Sequence, residues 1–131
     1  MKKILILLLL MVSTSVFAEW TEVGQSAANG MTAYADFGTI KRKGNKVKMW
    51  HLTDFKTVKK LGENDRYLSE MRRGEYDCEE ETTRMLDLFW YSVNMRQGEI
   101  VYSVTNIKDE ATSILPESIG ETLFKIACGK K

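Results

Sequence analysis

Apolar and polar residues alternate with a period of two along much of this chain, and that period predicts strands. In "GMTAYADFGTI" (30–40), Met31, Ala33, Ala35 and Phe37 fall on one side and Thr32, Tyr34 and Asp36 on the other. "KRKGN" (41–45) reads as a turn with Gly44-Asn45 at its tip. "KVKMWHL" (46–52) then puts Val47 and Met49 on one face and Trp50 and Leu52 on the opposite one, so burial changes side or becomes two-sided there. "GEIVYSVTNI" (98–107) is rich in β-branched and aromatic residues, and Gly98 separates it from "MLDLFWYSV" (85–93) as a hairpin would. The segment 79–93 fits two templates. Glu79, Glu80 and Glu81 with Met85, Leu86, Phe89 and Trp90 would make an amphipathic helix. Thr82, Thr83, Phe89, Trp90, Tyr91 and Val93 favour a strand, and a hairpin into 98–107 needs a strand partner, so the segment is read as a strand.

The period becomes helical near the C-terminus. In "LPESIGETLFKIACGKK" (115–131), Ser118 and Glu121 form an S-x-x-E capping box just after Pro116. Ile119, Leu123, Ile126 and Ala127 recur at helical spacing and define an apolar stripe. Gly129 is a suitable stop, and Lys130 and Lys131 suit the negative end of the helix dipole.

The N-terminus follows neither pattern. Lys2 and Lys3 precede an unbroken apolar run, Ile4 to Val12, and the chain then turns small and polar up to Val16-Phe17-Ala18. That arrangement is a secretory leader with cleavage between Ala18 and Glu19. The run is shorter than the roughly 20 residues that span a bilayer. No cysteine follows it for lipid attachment, and no other long apolar run exists, so no transmembrane segment is expected after cleavage. The segment 19–131 is then a single domain. Removing Lys2 and Lys3 takes Lys+Arg from 19 to 17 against 18 Asp+Glu, a net charge of −1. A near-neutral domain does not bind nucleic acid nonspecifically, because such binding rests on phosphate neutralisation. Export also fixes how the cysteines read. Cys78 and Cys128 are the only two, and in an oxidising compartment they most simply pair.

The ordered motifs resemble those of surface-adhesin protein E-like domains. After Trp20 come "AYADFGTIKRKGNKVKMWHLTDF" (33–55), "YDCEEETTRMLDLFWYS" (76–92), Gly98 and "LPESIGETLFKIAC" (115–128). Within them lie Asp36 after an aromatic strand, Val47 to Trp50 at a strand end, Asp77-Cys78 followed by Arg84, and a Pro-x-Ser helix start with a terminal Cys. The resemblance implies an antiparallel sheet with a C-terminal helix. It also implies an adhesin-like role, since the adhesin that typifies the family binds host matrix proteins.

Three constellations suggest chemistry. Cys78 with His51, the one histidine, would make a thiolate–imidazole pair, but pairing of Cys78 in a disulfide removes the free thiol. Asp77, Glu79, Glu80 and Glu81 supply the oxygens that calcium prefers, yet the calcium-loop spacing is absent and neighbours on a strand face opposite ways. The segment Lys41, Arg42, Lys43, Lys46 and Lys48 is a candidate polyanion site.

The combined expectation is an α+β fold: an antiparallel sheet of about 5–6 strands, near the usual sheet size, with one C-terminal helix and a Cys78–Cys128 disulfide. The expected protein is exported, periplasmic or at the cell surface, noncatalytic, with no metal and no cofactor. Its expected partner is a host or envelope protein or a polyanion, and open strand edges make a homodimer a candidate assembly. The alternative is a periplasmic inhibitor of an enzyme such as lysozyme.

Overall fold

A computed structural model describes residues 19–130; the proposed leader, up to Ala18, lies outside the described residues. Antiparallel strands follow one another as neighbours: β1 (Thr21–Ser26), β2 (Met31–Lys43), β3 (Lys46–Leu61), β4 (Asp65–Asp77), β5 (Thr82–Val93) and β6 (Gln97–Val104). A short β7 (Thr112–Ser113) pairs with the start of β5, and α1 (Ile119–Cys128) closes the chain. The expected antiparallel sheet with one C-terminal helix is therefore found, with six strands in the main path and β7 beside it.

The two faces of the sheet bury different residues. On one face Ala35, Val47, Met49 and Tyr76 pack beneath Leu123, Phe124 and Ala127 of α1. On the other, Leu52, Met71 and Tyr91 are buried among Trp20, Tyr34, Trp50, Phe89 and Met95. Burial is thus two-sided in β3, and the switch falls where Val47 and Met49 give way to Trp50 and Leu52. A 3-10 turn at Asn94–Arg96 supports the second face. The Asn94 side chain donates to Asp54 Oδ1 at 3.1 Å and to the Phe55 carbonyl at 2.9 Å, which lays Met95 against the core. Gly98 follows this turn at φ +76°, and a Cβ there would sit 2.3 Å from Ser92 Oγ and 2.7 Å from Val93 Cγ2, so only glycine fits.

Three local features depart from expectation. The alternation of β2 fails at its last apolar position: Phe37 is exposed and Asp36 is buried. The register slips between Asp36 and Lys41, and Asp36 turns inward to accept from Gly38 N–H at 3.0 Å. The strand expected over 79–93 begins only at Thr82, because Cys78–Glu81 form a tight turn. Asp77 Oδ1 nucleates that turn by accepting from the N–H groups of Glu79 and Glu80 at 3.1 and 3.0 Å. The capping box of α1 is half made. Ser118 Oγ accepts from Glu121 N–H at 3.1 Å, but the Glu121 carboxylate reaches forward to Lys125 at 3.4 Å.

The helix is tied to the sheet at its far end. Cys128 and Cys78 form a disulfide. Gly129, left-handed at φ 66°, ends the helix so that its N–H donates to Ile126 O and Lys130 N–H donates to Lys125 O. That reversal brings Lys130 Nζ to the Cys78 carbonyl, 2.8 Å away. The disulfide closes a segment with a sequence separation of 50, for which loop entropy stabilises the fold by about 4 kcal/mol at most. Replacing both cysteines by serine should lower the urea-unfolding midpoint, with a stability loss of about 2–4 kcal/mol. An unchanged midpoint would show that the bond adds nothing to stability. Ser118→Ala should cost about 1 kcal/mol by removing the N-cap, read from the same midpoint; a loss below a few tenths would contradict the cap.

Candidate functional site

A groove of about 790 Å3 runs along the face that carries α1. The central strands form its floor. Cross-strand register aligns Ala35, His51, Arg72 and Leu88 in one row and Ala33, Thr53, Glu70 and Trp90 in the next. Phe55, Tyr67 and Tyr76 line it with His51, Glu70 and Arg72, the first turns of α1 supply one wall, and Asp109 and Glu110 stand on the rim.

Charge in this floor is satisfied locally. Glu70 is buried, pairs with Arg72 and accepts from Trp90 Nε1 at 2.9 Å. On the other face of the same strand Arg73 meets buried Asp87 at 2.6 Å, and its guanidinium lies 5.5 Å from the Trp50 ring. Arg84 donates to Glu75 at 2.8 Å, which holds the Glu75 carboxyl below the ordinary range, with Lys46 and Lys48 adding to the effect. An aromatic row crosses the sheet above Glu70: Phe55 meets Tyr67 edge-on, Tyr67 stacks on Trp90 with centroids 4.2 Å apart, and Trp90 meets Tyr102 at 4.8 Å. Only the Tyr67–Trp90 pair is face to face; the Phe55 contact is edge-on and the Tyr102 contact tilted.

Among the described residues, His51 carries the one buried side-chain polar atom left unsatisfied. Its Nδ1 is buried and has no hydrogen-bond partner among the described residues. Burial, reinforced by the charge of Arg72, pushes its pKa down to about 3. The imidazole is therefore neutral at ordinary pH. A neutral histidine beside an Arg–Glu pair can hold a hydrogen bond with a bound group. It has no thiol partner, because Cys78 is oxidised and no cysteine among the described residues is free. Among the described residues no group of three or more His, Cys, Asp or Glu side chains is placed to hold a metal ion. Glu79, Glu80 and Glu81 point into solvent from their turn, and Glu79 accepts from Asn45 at 2.5 Å.

The basic segment lies at the β2–β3 turn. Lys41, Arg42, Lys43, Lys46 and Lys48 are all exposed. Register places Lys41 opposite Lys48 and Lys43 opposite Lys46, but the next strand sets Glu75 beside Lys48 and Asp77 beside Lys46. Arg42 leans back so that its Nη2 is 3.3 Å from Cys78 Sγ. Lys41 and Lys43 are the cations farthest from acids on the flanking strand.

A protein-family model described as Surface-adhesin protein E matches residues 20–129. The chain belongs to the surface-adhesin protein E family. Three crystallographic chains of Haemophilus influenzae protein E share its fold, each at 14% sequence identity and each covering 88% of this chain. Crystal form II gives a TM-score of 0.62 over 91% of that chain, a second structure 0.60 over 88%, and protein E from a non-typeable strain 0.58 over 79%. No curated protein sequence matches. The structural likeness concerns the fold, so the groove and the basic turn stand on the chemistry of this chain's own residues.

The groove was not legible as a site in the sequence, because Tyr67, Glu70 and Arg72 belong to β4, which has no clean alternation. The chain has a single histidine, so its ring protons can be followed by NMR without ambiguity. His51 should show no titration between pH 8 and about 5, since its folded pKa is about 3. The unfolded chain takes up that proton near pH 6.5, so stability should fall as pH drops from about 6.5 towards 3, and His51→Asn should flatten that slope. A midpoint near 6.5 in the folded protein would contradict the buried, neutral assignment.

Proposed function

We propose that this chain is an exported, noncatalytic binding module of the bacterial envelope, adhesin-like, working in the periplasm or at the cell surface. The observation that carries the reading is the family match over residues 20–129. The apolar run after Lys2 and Lys3 supports export, with cleavage between Ala18 and Glu19. The disulfide fits an oxidising compartment. No helix among the described residues is long and apolar enough to cross a membrane. The partner is a host or envelope protein or a polyanion. The comparisons lend no support to the inhibitor alternative.

For a polyanion the contact surface is the β2–β3 turn, with Lys41, Arg42 and Lys43 leading. Lys46 and Lys48 contribute less, because Asp77 and Glu75 stand opposite them. Attraction of this kind is long-ranged at low salt and screened within about 10 Å at 0.1 M. The protein should therefore be retained on a heparin column at low ionic strength and released by moderate salt. Lys41→Ser with Lys43→Ser should shorten retention more than Lys46→Ser with Lys48→Ser does. Free passage of the wild-type protein at low salt would end the polyanion reading and leave a protein partner as the remaining form of the proposal.

A further inference from the structure

The two sulfurs of the Cys78–Cys128 bond sit in unlike surroundings. Cys78 belongs to the buried cluster beneath α1 and is 9% exposed. Cys128 is half-buried at the margin of that cluster, and the two residues after it, Gly129 and Lys130, are exposed. A thiol arriving from solvent meets Cys128 first.

Charge separates the two sulfurs further. Arg42 Nη2 lies 3.3 Å from Cys78 Sγ, and Lys130 Nζ lies 2.8 Å from the Cys78 carbonyl. Both cations favour a thiolate on Cys78. A neutral sulfur is only a weak acceptor, so the Arg42 contact strengthens once that sulfur carries charge. Carboxylates flank Cys78 in sequence but are turned elsewhere. Asp77 Oδ1 accepts from the N–H groups of Glu79 and Glu80, Glu79 accepts from Asn45, and Glu80 and Glu81 are exposed. Cys128 is the last residue of α1, where the negative end of the helix dipole opposes an anion. Lys125, in that last turn, is paired with Glu121. Cys78 N–H donates to the Asn45 carbonyl at 2.8 Å, so Cys78 and Arg42 are both held by the sheet and stay together when α1 is released.

We propose that Cys78–Cys128 is a thiol–disulfide exchange site with a fixed direction of attack, and that its co-reactant is a dithiol. A thiolate of the dithiol attacks Cys128 Sγ. A new S–S bond forms there as the Cys78–Cys128 bond breaks, and the electron pair departs on Cys78 Sγ as a thiolate held by Arg42. The second thiol of the dithiol loses its proton to solvent and attacks the sulfur of the first. Cys128 then leaves as a thiolate and takes a proton from solvent. The dithiol is oxidised to a disulfide, and the chain is reduced by two electrons. A thiol of lower pKa leaves faster, so Arg42 selects the sulfur that departs. The stability that the bond adds to the fold sets the equilibrium; the local charges set the direction. Reduction at this site removes the covalent tie that holds α1 beside the groove.

Exchange kinetics on the oxidised, folded protein test it. Arg42→Gln should slow reduction by dithiothreitol roughly three-fold for each pKa unit of thiolate stabilisation lost, at a Brønsted slope of about 0.5. Arg42→Lys should recover part of the rate. Arg66→Gln, which removes the same charge from the far hairpin, should be reduced at the wild-type rate. With glutathione as the probe, acid quenching and peptide mapping should find the mixed disulfide on Cys128. In the reduced protein, alkylation by iodoacetamide against pH should show Cys78 titrating below the ordinary value of about 8.5 and below Cys128. Arg42→Gln should raise the Cys78 midpoint alone. Circular dichroism checks that each variant keeps the fold. Glutathione found on Cys78, an Arg42→Gln protein reduced as fast as wild type, or a Cys78 midpoint at or above that of Cys128 would each overturn the proposal.

Discussion

The Cys78–Cys128 bond decides where α1 lies, and with it the shape of the groove. A ten-residue helix is too short to persist alone in water, where roughly 12–15 residues are marginal. Burial of Leu123 and Phe124 contributes about 1.5–3 kcal/mol each if complete, an upper estimate. That is little margin for an element joined to the sheet through the two-residue strand β7. The disulfide removes the option of drifting away, and the Lys130 contact to the Cys78 carbonyl doubles the tie at the same point. Ile119 and Leu123 become a groove wall because the last residues of the helix are fixed.

A second constraint is electrostatic. β4 runs through the middle of the sheet yet carries Glu70, Arg72, Arg73 and Glu75 in succession with one apolar residue and a glycine among them. Buried charge of this density is tolerable only when each carboxylate has a hydrogen-bonding partner. Glu70 has Arg72 and Trp90, Asp87 has Arg73, and Glu75 has Arg84. Removing one member leaves its partner desolvated and unpaired, which costs more than the pair itself is worth. The cross-strand pairs among them also fix the register of β4 against β5, because a one-residue slip would move every charge to the wrong face.

That pairing explains what could and could not be read from the sequence. The stretches at Met31–Ile40, Lys46–Leu52 and Gly98–Val104 announced themselves as strands through short-range alternation or β-branched and aromatic content, although Asp36 and Phe37 break the alternation of the first. The capped helix was equally legible, since its start, stripe and stop are local signals. β4 was silent: its charges look like a solvated loop until the cross-strand partners are known. The opening of the acidic segment misled for a related reason. Asp77 folds its own carboxylate onto the next two N–H groups and makes a turn of what reads as a continuous strand. The groove inherits this blindness, because Glu70, Arg72 and Tyr67 lie on the strand whose pattern is hidden.

Taken together, the family fold, the oxidised staple and the neutral His51 describe a sheet with a helix-walled groove on one face and a basic turn at one end. The groove depends on α1 being held over the sheet, and amide hydrogen exchange in the oxidised and reduced protein measures that hold most directly. The account predicts that reduction strips protection from Leu123, Phe124 and Ala127 while the amides of β3 and β4 stay protected. Equal protection of the helix in both states, or loss of helix and sheet together, would contradict it.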